Sequence, residues 1–131
     1  MIGTVTNSNE LRNIIQFVPF QIKITADYTS WSKVFADIED VMLVIKKTNA
    51  NANTEFLQKG HQAKLGNISI NDTTKEFTID VNQDDFGNLA PDTYSIRLGI
   101  QFTGETQFRD VGVLENGSIT IKESWFDVIP T

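Results

Sequence analysis

The fold is decided by the stretch Leu89-Ala90-Pro91-Asp92-Thr93-Tyr94-Ser95-Ile96-Arg97-Leu98-Gly99-Ile100-Gln101-Phe102. From Tyr94 onward every second residue is apolar, and the residues between are small or polar. A period of two gives a strand one buried face and one exposed face. The stretch therefore predicts a half-buried antiparallel strand around which the rest of the chain is organised.

The residues before this strand have the order of a tyrosine corner, Leu89-x-Pro91-x-x-Tyr94. In such a corner, a Tyr at the start of a strand returns its hydroxyl to the backbone a few residues upstream. Pro91 fixes φ and lacks an amide hydrogen, which suits a connection between two strands. The corner is typical of immunoglobulin-like sandwiches, so Leu89, Pro91 and Tyr94 are predicted to be structural.

Composition limits the classes of protein to which the chain can belong. Its 131 residues, 40% of them hydrophobic, can bury the core of a single domain. The absence of Cys excludes disulfides, thiolate zinc sites and cysteine nucleophiles. A net charge of −6, with scattered Lys and Arg, argues against nucleic-acid binding. No apolar run approaches the roughly 20 residues of a membrane span, and Met1–Asn7 lacks a secretory-signal pattern, so we expect a soluble protein made in the cytoplasm.

Short runs with turn signals between them predict the other strands. The expected segments are Gln16–Thr25, Val41–Ile45, one around Glu55–Lys59, a hairpin over Ile68–Val81, Gln107–Val113 and Ser118–Lys122. Seven to nine such strands, with no convincing helix, predict an all-β, immunoglobulin-like antiparallel β-sandwich. We expect the sandwich over residues 16–122, an N-terminal arm over 1–15 and a C-terminal segment over 123–131.

Two pairs of apolar residues are candidates for a subunit interface. Met42 and Val44 lie on the second face of an all-apolar run, where either another subunit or a loop or the N-terminal arm could cover them. Trp125 and Phe126 lie in the C-terminal segment, as a last strand or an arm. These four residues are the predicted contact positions.

Aromatic residues could also form a flat platform for sugar rings. Tyr28 and Trp31 lie in one connection, and Trp125 could join them. Aromatic residues near the ends of a sandwich also cap its core, so the two interpretations stay open.

The remaining polar patterns predict no catalytic residue, metal or cofactor. Asp80-x-Asn82-x-Asp84 has alternating oxygen ligands, but its Gly and Glu positions do not fit an EF-hand loop. His61 is a single histidine in a polar connection, and no G-x-S-x-G motif occurs. We therefore expect a protein that is not an enzyme.

The order of these elements resembles the immunoglobulin-like N-terminal domains of tailed-phage baseplate upper proteins and related virion proteins. The matching elements are the strand Phe20 to Thr25, the acidic lead Asp37-Ile38-Glu39-Asp40, the strand Val41 to Lys47, the hairpin end Phe77-Thr78-Ile79, the turn Asp84-Asp85, and Leu89-x-Pro91-x-Thr93-Tyr94.

The resemblance implies a non-enzymatic building block of a bacteriophage virion, in the tail, baseplate, fibre or capsid-decoration class. Its partners would be other virion proteins and further copies of itself, without nucleic acid or membrane, and its location would be the virion. Such a sandwich can assemble by arm exchange or strand addition. The alternative function is a carbohydrate-binding β-sandwich module, and a small hydrolase is a third.

Overall fold

The computed structural model describes residues 2–27, 29–47, 57–60, 68–88 and 90–126. These residues form ten strands, one α-helix of four residues, α1 (Ser8–Leu11), and three short 3-10 helices at Thr29–Trp31, Phe35–Asp37 and Gln83–Asn88. The strands are β1 (Ile2–Val5), β2 (Ile14–Ile15), β3 (Phe20–Asp27), β4 (Ile38–Lys47), β5 (Leu57–Gly60), β6 (Ile68–Asn71), β7 (Glu76–Val81), β8 (Asp92–Phe102), β9 (Arg109–Asp110) and β10 (Ser118–Lys122). No helix among these residues has the length and apolar character needed to cross a membrane.

The strands form two sheets with the order of an immunoglobulin fold. One sheet has four strands in the order β1-β3-β7-β6, and the other runs β2-β10-β8-β4-β5, with β9 also paired to β8. In immunoglobulin lettering these are A-B-E-D and A′-G-F-C-C′. All strand pairs are antiparallel except β2 with β10. The prediction of an all-β, immunoglobulin-like sandwich is confirmed.

Strand β8 lies at the centre of the larger sheet, between β10 and β4. Its inward residues are buried and alternate with its outward ones, as the period of two predicts: Tyr94, Ile96, Leu98, Ile100 and Phe102. They face the buried residues of the opposite sheet, chiefly Ile22, Ile24, Phe77, Ile79 and Val81.

The tyrosine corner is present at the start of β8. Tyr94 is fully buried, and its hydroxyl donates a hydrogen bond of 2.6 Å to the carbonyl of Ala90. Burial, with a smaller contribution from the Asp92 charge, raises the pKa of the Tyr94 hydroxyl above its ordinary value. Pro91 is exposed, and Leu89 lies outside the described residues.

The predicted hairpin between Ile68 and Val81 forms as β6 and β7. The strand predicted over Gln107–Val113 is much shorter, since only Arg109–Asp110 pairs with β8. Gly112 follows with a φ of +95°, a conformation that ends the extended backbone. The short strand predicted around Glu55–Lys59 appears as Leu57–Gly60.

The N-terminal arm predicted over residues 1–15 is wrong for the residues that the structure describes. Strand β1 pairs with β3, and β2 pairs with β10 in the other sheet. Val5, Leu11 and Ile14 are buried in the core. The segment therefore crosses from one sheet to the other, and the sandwich begins at β1 rather than at residue 16.

Two details fix this N-terminal segment to its neighbours. The side chain of Asn7 extends the β1–β3 ladder, because its Nδ2 donates to the Gln21 carbonyl at 2.8 Å and its Oδ1 accepts from the Lys23 amide at 3.0 Å. A Cβ atom on Gly3 would lie 2.5 Å from Cδ2 of Leu114. Glycine therefore permits β1 to approach the segment that precedes β10.

Candidate interaction surfaces

The sandwich has two ends, and we name them by where β8 begins and where it finishes. The carboxyl end is where β8 begins and β10 finishes, because Ile121 pairs with Asp92. The hairpin end is where β8 finishes and turns back toward β9. The 11 residues of β8 span about 33 Å at the usual rise of a strand.

Four exposed apolar side chains lie on the two segments that meet at the carboxyl end, and we call them the aromatic patch. They are Trp125 (95% exposed), Phe126 (80%), Val18 (52%) and Ile15 (41%). Sequence analysis predicted Trp125 and Phe126 as contact positions, but it assigned Ile15 to an arm and placed Val18 in the strand predicted over Gln16–Thr25. The apolar run Ile14-Ile15-x-Phe17-Val18 contains more apolar residues than a short edge strand can bury, and this was the available signal.

Two chain segments meet to build the aromatic patch. Strands β2 and β10 run parallel, so both finish at the carboxyl end. The Gln16 amide continues the pairing by donating to the Lys122 carbonyl at 2.9 Å. The patch residues therefore follow directly on a hydrogen-bonded pair of strands.

The turn after β2 holds Val18 away from the core. The Val18 amide donates to the Ile15 carbonyl at 3.1 Å, and Phe17 has a φ of +69°. Such a φ is unusual for a bulky residue and is kept only where surrounding contacts enforce it. The contact here is the Phe17 ring, which packs 5.8 Å from the ring of buried Phe86.

The hairpin end has a different arrangement, which we call the arginine stack: Trp31, Phe102, Glu105 and Arg109. The Trp31 ring meets Phe102 edge-on at 5.9 Å. The Arg109 guanidinium lies 5.3 Å from the centre of the Trp31 ring and 5.5 Å from that of Phe102. Trp31 is half-buried and packs against the core, so its ring belongs to the fold.

Glu105 holds the guanidinium of Arg109 in this position. Arg109 Nε donates to Glu105 Oε2 at 2.9 Å, and Nη2 donates to the same oxygen at 2.5 Å. These hydrogen bonds lower the pKa of the Glu105 carboxyl and raise the pKa of Arg109. Sequence analysis missed the pair, and the four-residue spacing of Glu105 and Arg109 after Gly104 was the available signal.

Trp125 does not join Trp31 in the predicted sugar platform. Trp31 lies at the hairpin end and Trp125 at the carboxyl end, so their rings cannot form one surface. Tyr28 lies outside the described residues. Trp31 is the described residue of the predicted pair, and Arg109 lies over its ring.

Met42 and Val44 are half-buried on the outer face of the larger sheet. Met42 pairs with Gly99 of β8, and a Cβ atom on Gly99 would lie 3.1 Å from Cβ of Phe108. Glycine therefore lets Phe108, from the loop before β9, approach the sheet beside Met42. A loop that covers this face was one of the two alternatives for Met42 and Val44.

The acidic turn forms hydrogen bonds within the protein. Asp80 accepts from Gln21 at 2.8 Å, and Asp85 accepts from the Asn82 amide at 2.7 Å. Across the described ranges, no three Asp, Glu or His side chains converge as metal ligands would. His61 lies outside those ranges.

Comparison with known proteins adds little to this description. No protein-family model matches the sequence, and no curated protein matches it. Among solved structures, the chain is similar to the X-ray structure of the endo-beta-1,4-mannanase from Thermotoga petrophila, with a TM-score of 0.44 and 10% sequence identity. The match covers 94% of this chain and 19% of the mannanase chain, so this chain spans about a fifth of the mannanase's length.

Proposed function

We propose that this protein is a non-enzymatic structural component of a phage particle, in the tail, baseplate, fibre or capsid-decoration class. It acts through protein–protein contacts with other virion proteins and with copies of itself. The phage assignment rests on the order of sequence elements from Phe20 to Tyr94 that resembles virion proteins.

The observation that carries the contact role is the aromatic patch. Soluble monomers seldom expose contiguous apolar patches larger than a few hundred Å², and larger patches mark sites of interaction. Trp125 and Phe126 are 95% and 80% exposed, and aromatic residues are enriched at the centres of interfaces. A surface of this kind is suited to contact with another protein.

The rest of the described surface agrees with a contact role. The ion pairs on it, Arg97 with Asp110 and Lys47 with Asp92, are exposed and join neighbouring strands. The formal charge of −6 disfavours binding to nucleic-acid phosphates. Contacts of modest strength suffice in a particle, because many copies act together.

The test is whether the chain is part of a particle. Phage particles purified from cells that carry the gene should contain the chain in a fixed ratio to the other virion proteins, measured by quantitative mass spectrometry. Particles that form normally and lack the chain would overturn the assignment to the virion.

Carbohydrate binding is the alternative function, and it would use the hairpin end. A groove there is lined by Gly104, Glu105, Thr106, Gln107, Phe108 and Arg109, beside Trp31. A glycan array separates the two functions, with Trp31→Ala as the variant and Trp125→Ala as its control. Glycan binding that is lost only in Trp31→Ala would establish the alternative.

A further inference from the structure

We infer that the aromatic patch binds a second copy of this chain, through a twofold contact in which the patch of one copy meets the patch of the other. This partner assignment rests on the proposed function, in which the aromatic patch is a protein contact surface. Four steps support it.

The first step is that the two segments that carry the patch are joined to each other. The segments that carry Ile15 and Trp125 are joined by the β2–β10 pairing and by the hydrogen bond from Gln16 to Lys122. Val18 is held by its turn hydrogen bond to Ile15. A contact at this place therefore meets side chains from both segments together.

The second step is the area available. Aromatic side chains contribute about 150–250 Å² each when they are buried, so Trp125 and Phe126, with the partly exposed Ile15 and Val18, offer on the order of 500 Å². A twofold contact uses the patch twice and would bury roughly 1,000 Å² in total. That value lies at the small end of specific interfaces, the size of weak and reversible contacts.

The third step is that the opposite end offers no matching surface. Outside the patch, two large apolar side chains are exposed in the described ranges, and they lie apart in the chain. Val34 (58%) precedes Phe35–Asp37 at the hairpin end, and Val113 (82%) lies between β9 and β10. The groove at that end has the polar side chains of Glu105, Thr106 and Gln107 in its lining. A head-to-tail contact would place Trp125 against these polar groups, whereas a twofold contact places it against apolar ones.

The fourth step concerns charge at the rim. Lys122 and Glu123 are exposed neighbours at the edge of the patch and carry opposite charges. A twofold axis reverses their order in the second copy, so that each Lys122 can face a Glu123 of the other copy. Opposite charges at a rim favour this orientation over others.

Sedimentation velocity across a wide concentration range tests the inference on the full chain. The wild type should pass from monomer to dimer as its concentration rises. The double variant Trp125→Ser with Phe126→Ser should remain monomeric throughout. Both positions are exposed, so the variants should keep the wild-type circular dichroism spectrum and melting temperature.

A matched pair of valines provides the control. Val18 in the patch and Val34 at the opposite end are 52% and 58% exposed. Val18→Ser should raise the dimer dissociation constant about tenfold, because both copies lose apolar contact. Val34→Ser should leave the dissociation constant unchanged.

Three results would overturn the inference: a wild-type monomer at every concentration, a dimer that persists in the double variant, or equal weakening by Val18→Ser and Val34→Ser. The proposed function fails separately. A monomer that is present in purified particles overturns only the twofold contact, whereas a dimer absent from particles overturns only the assignment to the virion.

Discussion

The two terminal segments of this chain were both predicted to lie outside the sandwich, and they differ in structure. Residues 2–15 contribute a strand to each sheet and bury Val5, Leu11 and Ile14. Residues 123–126 follow the last strand, and Trp125 and Phe126 are exposed. The more polar terminus is therefore part of the core, and the more aromatic one is on the surface.

The difference shows that pairing partners, and not hydrophobicity, decide which terminus is structural. Strand β1 pairs with β3 on one side. On the other side, the Val5 amide donates to the Glu115 carbonyl and the Glu115 amide donates to the Gly3 carbonyl, both at 2.9 Å. Trp125 and Phe126 come after β10 has lost its partners. Among the described residues, these two belong to no strand, and their side chains stay exposed.

Deleting one or the other terminal segment should give the largest difference in unfolding behaviour. Removal of residues 1–13 should abolish cooperative unfolding, because it takes away β1 and the buried Val5 and Leu11. Removal of residues 125–131 should leave the unfolding transition in place. Urea titrations followed by fluorescence compare the two, and a cooperative transition at the wild-type midpoint after the first deletion would contradict the comparison.

Single substitutions in the two segments should show the same difference in stability on a smaller scale. Leu11 is fully buried, so Leu11→Ala should lower the free energy of unfolding by about 3 kcal/mol through lost packing. Phe126→Ala should change it by less than about 0.5 kcal/mol, as for most exposed positions. Chemical denaturation measures both, and equal losses would mean that the C-terminal segment also packs on the fold.

Asn7 tests whether a side chain can serve as part of a strand pair. Asn7→Ala removes two hydrogen bonds to the backbone of β3 and should cost about 2 kcal/mol. Asn9→Ala, at an exposed position of α1, is the matched control and should change little. Amide exchange should rise at Lys23 in the first variant alone, and an unchanged exchange rate there would remove the role assigned to Asn7.

Tyr94, in strand β8 of the core, provides a reference for the stability effects of the two terminal segments. Tyr94→Phe removes the 2.6 Å bond to Ala90 and should cost about 1 kcal/mol. Because burial raises the pKa of the hydroxyl, its contribution is complete below the ordinary value of 10.0 and is lost as pH rises through the folded value. The wild type should therefore lose its advantage over Tyr94→Phe at high pH, and a constant difference would argue against the buried hydroxyl.

Long elements could be predicted from the sequence because their pattern repeats. Strand β8 alternates over its whole length, and the motif at Pro91 and Tyr94 adds a second signal for the same corner. The N-terminal segment gives no such signal because it belongs to two sheets. Strands of 4 and 2 residues, separated by a helical turn, are too short to show a period.

The candidate surfaces could be predicted only in part. The exposure of Trp125 and Phe126 follows from where β10 ends, and Val18 joins them only because β2 runs parallel to β10. Trp31 and Arg109 are far apart in sequence, so their stacking depends on the turn after β8. Sequence spacing contains no information on contacts of this kind.

The opposite placement of β1 and β10 has a mechanical consequence. Strand β1 begins beside Asp27, at the hairpin end, whereas β10 finishes at the carboxyl end. A force that stretches the chain between its termini therefore pulls both strands along their own axes. Their hydrogen bonds to β3, β2 and β8 then carry the load together instead of opening one at a time, so the resistance of the domain to tension is set at its two terminal strands.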